Sequence, residues 1–408
     1  MSKTIQHLVV LDLYHEGHHR SYIEMFVDGW LQQESSGTLS ILVTERFQLE
    51  HVEWIRRLES ADNQRVSIVM LAATQPSGEK KGVFKFLEIN RSQKQALEQA
   101  CLLAPDHILC MYLDHAQGAI RSLSKIPQYQ NIQFSGILFR ATLHLPVGSF
   151  KEKLTRFRKR AVLKSLLSTR SLKHVFCLDP DATESINALT EGSKAISLPD
   201  GTLIHPSNSS REQTRAAWGV SEEDHVVLQF GVQSERKGIY QVLEAFQAIN
   251  QKSWVLVIAG KPTESEDEAI RVAIEAAGRS VRIIWEAQFF SEGEMTAYFE
   301  ASDVILAAYP NHVGSSGILV RAAAARKPVL GSESGLVGRN IERHTLGMRV
   351  DCNDSNAIKT GLLQLAEKPH TYFDDVAASN FAGLNTPEEF ARVLLEGLYT
   401  VDGGLLGP

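Results

Sequence analysis

Apolar residues along this chain fall into short unbroken runs, separated by longer stretches with helical spacing. In the first half the runs Ile5–Leu13, Leu39–Thr44, Val66–Ala72, His107–Leu113, Gln133–Phe139 and His174–Leu178 predict strands. Ser21–Leu31, Gln93–Leu103 and Phe150–Leu167 predict helices between them. In the second half the strand runs are His225–Phe230, Trp254–Ala259, Val281–Trp285, Asp303–Ala307 and Pro328–Leu330. The helical stretches there are Ile239–Ile249, Glu266–Ala277, Glu292–Ala301, Ile318–Ala325 and Asn356–Glu367. This alternation predicts an α/β chain with parallel sheets, each half a doubly wound, Rossmann-like domain. Pro199-Asp200-Gly201 and the polar stretch His205–Arg211 break both periods, which places the domains at 1–200 and 201–380. Residues 381–408 hold a last helix. Thr386 caps it, Pro387 suits its first position and Glu389 completes a capping box. Phe390, Val393, Leu394 and Leu398 then form an apolar stripe that needs a partner surface.

Composition adds limits to this picture. The chain has 408 residues, 43% hydrophobic and 22% charged, which is globular rather than disordered. Its formal net charge of −6 excludes a surface that is basic overall, as nucleic-acid binding would favour. Yet Lys151–Lys173 holds nine basic residues and one acidic. On a helix, Phe150, Leu154, Phe157 and Ala161 share a face, with Leu163, Leu166 and Leu167 extending the apolar surface. Lys153, Arg156, Lys159 and Arg160 lie around it. Such a helix is either core-packed with a solvated basic side or a basic amphipathic helix at an anionic membrane. No apolar run reaches the length of a membrane span, and Met1–His19 has the pattern of neither a signal nor a transit peptide. Cys101, Cys110, Cys177 and Cys352 show no metal-ligand or C-x-x-C spacing. These features point to a reduced, cytoplasmic protein without structural zinc.

Open α/β sheets bind ligands beyond the carboxyl ends of their strands, and two such domains facing one another form a cleft. The loops after strands are therefore the places to look. Tyr309-Pro-Asn-His312-Val-Gly314-Ser315-Ser316-Gly317 joins a strand to a helix. Its small residues and helix-start amides suit a phosphate, or else form a turn with a good cap. Gly231-Val-Gln-Ser-Glu-Arg236-Lys237-Gly238 lies between another strand and helix, and Lys237 can balance a diphosphate there. In the first domain Tyr14-His15-Glu16-Gly17-His18-His19 follows the first strand, Asp114-His115 the fourth and Arg140 the fifth. Gly17, His18 and His19 suit a polar ligand. The histidine spacing matches no standard metal set, so no metal is expected.

The second half resembles the donor-binding domain of retaining, nucleotide-sugar-dependent glycosyltransferases of the GT-B fold, family-four type. The resemblance runs from Leu198-Pro199-Asp200-Gly201 through Phe230-Gly231, Lys237-Gly238, Val257-Ile258-Ala259-Gly260 and Ala301-Ser302-Asp303-Val304. It continues through Ser315-Ser316-Gly317 and Lys327-Pro328-Val329 to Gly347. It implies two Rossmann-like domains facing a cleft and transfer of a hexose-type sugar from a nucleoside-diphosphate sugar. The acceptor it implies is a glycan, lipid-linked or small-molecule hydroxyl. It implies that transfer proceeds with retention and without a metal or a tightly bound cofactor. It implies that Lys237 and Ser315, Ser316 and Gly317 hold the diphosphate and that Gln288 and Phe289 hold the base. It implies too that the C-terminal helix crosses back towards the first domain.

Three departures stand out. The family's Arg after the strand-end glycine falls on Val232, leaving Arg236 or Gln233 as replacements. Its paired glutamates, which read the sugar and the ribose, fall on Val313 and Arg321, leaving Asn311, His312 and Glu333 as substitutes. Its first-domain His falls on Arg140, a fixed cation that cannot act as a base. A non-catalytic module that binds nucleotide or glycan for a partner therefore stands as an alternative. So does a nucleotide-sugar epimerase using Asp114 and Glu16.

Overall fold

The structure is a computed structural model and describes residues 5–15, 17–33, 37–60, 65–72, 82–145, 150–190 and 192–399. It divides into two compact units. The first runs to Pro199 and resumes at Pro387; the second is Asp200–Thr386.

The first unit is a parallel sheet of seven strands. These are β1 (His7–Leu11), β2 (Thr38–Val43), β3 (Val66–Met70), β4 (His107–Cys110), β5 (Gln133–Leu138), β6 (Leu172–Cys177) and β7 (Ala195–Ser197), in the order β3-β2-β1-β4-β5-β6-β7. The second is a parallel sheet of six. They are β8 (His225–Phe230), β9 (Trp254–Ala259), β10 (Arg282–Glu286), β11 (Val304–Ala307), β12 (Val329–Ser332) and β13 (Gly347–Val350), in the order β10-β9-β8-β11-β12-β13. Both are therefore doubly wound α/β sheets. The unbroken apolar runs have their cause here: helices cover both faces, so every residue of β9 is buried.

The sequence does not predict β7 or β13, each of them a short strand at a sheet edge. The predicted strand His107–Leu113 stops at Cys110, and Leu113 instead opens the helix Leu113–Leu123. The helix predicted from Gln93 begins at Gly82 and runs to Leu102. Its first turns carry exposed Phe84, Phe86 and Leu87, so no single-sided apolar stripe marks them.

The helix Pro387–Tyr399 belongs to the first unit and starts with Pro387. Its Phe390, Leu394 and Leu398 are buried. It lies so close to the helix His19–Leu31 that a Cβ on Gly29 would overlap the Ala391 methyl. Phe390 packs on Tyr22 with ring centroids 4.6 Å apart, and Lys173 Nζ donates to the Leu398 carbonyl at 2.6 Å.

In the second unit Arg215, fully buried, donates to Asp303 Oδ2 at 3.2 Å, to the Ala301 carbonyl at 3.1 Å and to the Asp224 carbonyl at 2.9 Å. That network fixes the entry of β11 against β8, and hence the loop that leaves β11. All four cysteines are free and buried. Among the described residues no helix is long and apolar enough to cross a membrane.

Candidate active site

In the second unit the chain winds outward from β8 through β9 to β10 on one side, and from β11 through β12 to β13 on the other. The topological switch point thus lies between β8 and β11, where loops leaving the carboxyl edge diverge. The two loops there are the ones singled out by their small residues, 231–238 and 308–316.

Backbone geometry draws them together. Gly238 has φ +70°, and a Cβ on it would overlap the Ala308 carbonyl oxygen of the other loop. Gly231 has φ +103°, and a Cβ there would fall on Lys237 Nζ. The missing side chain is what admits the ammonium. Lys237 Nζ donates to the Phe230 carbonyl at 2.8 Å and lies 5.5 Å from the centre of the Tyr309 ring. Desolvation, reinforced by Arg236, pushes its pKa down from 10.5 to about 7. A cation held this way is short of a counter-charge.

Across the switch point the helix Gly317–Ala324 begins with Ser316 in an extended conformation, and no side chain caps it. Its first amides are left to bind something else. Tyr309, buried, sets its hydroxyl 3.4 Å from Ser316 Oγ. His312 Nε2 donates to the Ser315 carbonyl at 3.1 Å, so the ring braces the loop around Gly314. Behind it Gly335, φ +71°, packs where a Cβ would overlap the His312 carbonyl.

The other candidates fall as follows. Arg236 is exposed at the loop tip. Gln233 is 0% exposed and its amide donates to the Gly231 carbonyl at 2.7 Å, so it braces the loop from beneath. Val232 and Val313 are exposed, as is Glu333. Gln288 and Phe289 sit past β10; Phe289 is 81% exposed with Lys261 Nζ 4.7 Å over its ring. Arg321, one turn into the helix, donates through Nη2 to Glu292 Oε2 at 2.7 Å, while its Nη1 is buried without a partner. Glu292 was not foreseen: the pair is 29 residues apart and only the packing of two helix starts reveals it. Arg321→Ala, which strands a largely buried carboxylate, should lower stability by about 1–3 kcal/mol, read as a lower urea midpoint with unchanged slope.

In the first unit the switch point lies between β1 and β4. There the three histidines part company. His15 turns towards Glu50, 3.5 Å away. His19 Nδ1 pairs with buried Asp12 Oδ2 at 2.7 Å. His18 is exposed and stacks between His19 and Phe139, at 4.9 and 4.7 Å. Gly17, φ +69°, is exposed and turns the chain beside them. Among the described residues no three His, Cys, Asp or Glu side chains are placed to hold a metal ion.

His115 Nδ1 is hydrogen-bonded to the Tyr14 hydroxyl. Burial, with Arg140 and Lys85 nearby, lowers its pKa to about 4, so the ring is neutral at pH 7. Asp114 accepts the Phe139 and Arg140 amides at 2.8 and 3.0 Å, which fastens the turn after β5; its burial raises its pKa. Arg140 itself is exposed. Tyr14, Tyr112 and Phe139 wall this edge with rings. Asp12, Tyr112 and Lys85 are thus neighbours of these candidates that spacing did not reveal. Glu16 lies outside the described residues.

Residues 210–377 match the family described as glycosyl transferases group 1. No curated protein matches the chain in sequence. Among solved structures, sucrose-phosphate synthase from Thermosynechococcus elongatus is similar at TM-score 0.69 and 16% identity, over 97% of this chain and 98% of that one. An α,α-trehalose-phosphate synthase (UDP-forming) from Burkholderia vietnamiensis is similar at TM-score 0.69 and 10% identity, over 98% and 97%. Anabaena HepE in complex with UDP-glucose is similar at TM-score 0.61 and 14% identity, over 96% and 99%. Two doubly wound units give the chain the GT-B fold of these structures, and the family match to glycosyl transferases group 1 lies across its second unit, residues 210–377.

Proposed function

We propose that the protein transfers a sugar from a nucleoside-diphosphate donor to an acceptor hydroxyl, with retention and without a metal ion. The observation that carries this reading is the pairing of two anion-seeking groups at one switch point. Lys237 is a desolvated ammonium without a carboxylate partner among the described residues, and the Ser316 side chain does not cap the helix start at Gly317. Together they stabilise the diphosphate as it departs, the work a divalent cation does elsewhere. The UDP-glucose bound by HepE supports the choice of donor class. On the first unit, the ring-walled edge around His18, Tyr112 and Phe139 suits a sugar or other hydroxyl acceptor, which His115, Asp114 and Arg140 border. Loops 231–238 and 308–316 together with Gln288, Phe289 and Arg321 form the donor side. The buried free thiols fit a reduced, cytoplasmic setting.

The test is nucleotide release from UDP-, GDP-, ADP- and dTDP-sugars with glycan, lipid-linked and small hydroxyl acceptors, alongside thermal shifts with the free diphosphates. Turnover with one base and a melting temperature that rises with ligand concentration are expected. Ser316→Trp, which covers the helix start, should weaken nucleotide binding by about tenfold or more. Stabilisation without turnover would replace transfer with the non-catalytic binding role that Val313 and Arg321 leave open. No response to any nucleotide would overturn the donor site itself.

A further inference from the structure

The helix Phe150–Leu167 has two apolar stripes on opposite sides, where the sequence pattern suggests one continuous surface. Successive residues turn by about 100°, so Leu163, Leu166 and Leu167 point one way, and these are the residues buried in the core of the first unit. Phe150, Leu154, Phe157 and Ala161 point the other way, into solvent: Phe150 is 82%, Phe157 69% and Leu154 42% exposed.

The cations sort by the same rule. Arg156 and Lys159 lie on the inner side, where Arg156 Nη1 donates to the Leu145 carbonyl at 2.8 Å and Lys159 Nζ reaches Thr142 Oγ1 at 3.4 Å. Lys153, Arg160 and Lys164 line one margin of the exposed stripe and Arg158 the other. All four are exposed, and none pairs with a carboxylate among the described residues. A second exposed set, Phe84, Phe86 and Leu87 with Lys85 and Arg91, occupies the first turns of the helix Gly82–Leu102. These two helices follow β3 and β5, so both begin at the carboxyl edge of the sheet, the edge that carries Tyr14, His115 and Arg140, and the first ridge runs from there along its helix.

Large apolar side chains on a ridge, fringed by unpaired cations, match a soft anionic surface rather than a rigid groove. The two phenylalanines of the first ridge lie about 10 Å apart along the helix axis, too far for successive stacked bases. We propose that the exposed flank of the helix Phe150–Leu167, together with the start of Gly82–Leu102, docks on an anionic lipid bilayer. Phe150, Leu154 and Phe157 enter the boundary between headgroups and acyl chains, and Lys153, Arg158, Arg160 and Lys164 lie against lipid phosphates. The proposal is independent of the donor-site reading.

It is tested by co-sedimenting the full chain with vesicles of phosphatidylcholine alone and of phosphatidylcholine mixed with phosphatidylserine. Binding is expected to the mixed vesicles only, and to weaken as salt rises. Phe150→Ser/Phe157→Ser and, separately, Arg158→Glu/Arg160→Glu should each reduce it by about tenfold or more. Both change exposed side chains, so unaltered melting and nucleotide thermal shifts show that the fold and the donor site persist. Equal binding to both vesicle types, unchanged binding by both variants, or tight binding to single-stranded RNA with none to vesicles would each overturn the proposal.

Discussion

Replacing Lys237 with alanine is expected to lower kcat/KM by a factor of about 10²–10³ while leaving the fold intact. The ammonium sits where Gly231 makes room for it and donates to the Phe230 carbonyl, with Arg236, a like charge, near enough to act on it. In the empty protein it is a burden. Its pKa is depressed to about 7, so the folded state penalises the proton. That penalty is fully present below pH 7 and fades as pH rises towards the ordinary lysine value. Lys237→Met without ligand should therefore be at least as stable as the parent at pH 6, measured by urea denaturation. A bound diphosphate reverses the sign by favouring the charged form. Affinity for a nucleotide sugar, whose doubly esterified diphosphate does not titrate in this range, should fall about tenfold between pH 6 and pH 8. Binding at pH 8 should take up a proton, seen as a dependence of calorimetric enthalpy on buffer. The Met variant should show neither effect. A pH-independent affinity in the parent would mean that Lys237 does not face the diphosphate.

The second large effect is expected from Gly238→Val. This glycine combines a positive φ with an approach to the Ala308 carbonyl that no side chain can share. Strain and overlap together should cost about 2–4 kcal/mol, or roughly 5–15 °C in the melting of a unit this size. Because the overlap is with the other loop of the switch point, nucleotide binding should fail even where the variant remains folded. Gly219→Val separates the two causes. Its φ of +64° is similar, yet nothing lies within 4 Å of its Cβ position, so it bears the strain alone. Equal losses of stability in the two variants would show that the loop contact contributes nothing.

Much of this architecture is legible in the chain because burial on both faces leaves a mark that needs no partner to interpret. β8 and β9 coincide with their apolar runs residue for residue. β7 and β13 do not, being three and four residues long at edges where little is covered. Lys237 and Ser316 stand out as candidates in the sequence because a strand end, small residues and a helix start are neighbours there. The Asp12–His19 and Arg321–Glu292 pairs could not, since they arise from packing between segments whose register spacing does not encode. The basic helix shows a different limit. Helical periodicity detects apolar stripes, but it does not say which of two opposed stripes the core covers.

The return of the chain to its first unit also sets a schedule for synthesis. The helix Pro387–Tyr399 is made after the whole of the second unit, yet it covers the surface of His19–Leu31, which is made before that unit. All of Asp200–Thr386 must be translated in between, a delay of roughly 10–40 s at ordinary elongation rates. The second unit is contiguous and can fold as it emerges. The first must wait on the ribosome with the seat of Phe390 and Leu394 open to water. A nascent chain that has not yet released Pro387–Tyr399 would therefore present that seat to a chaperone.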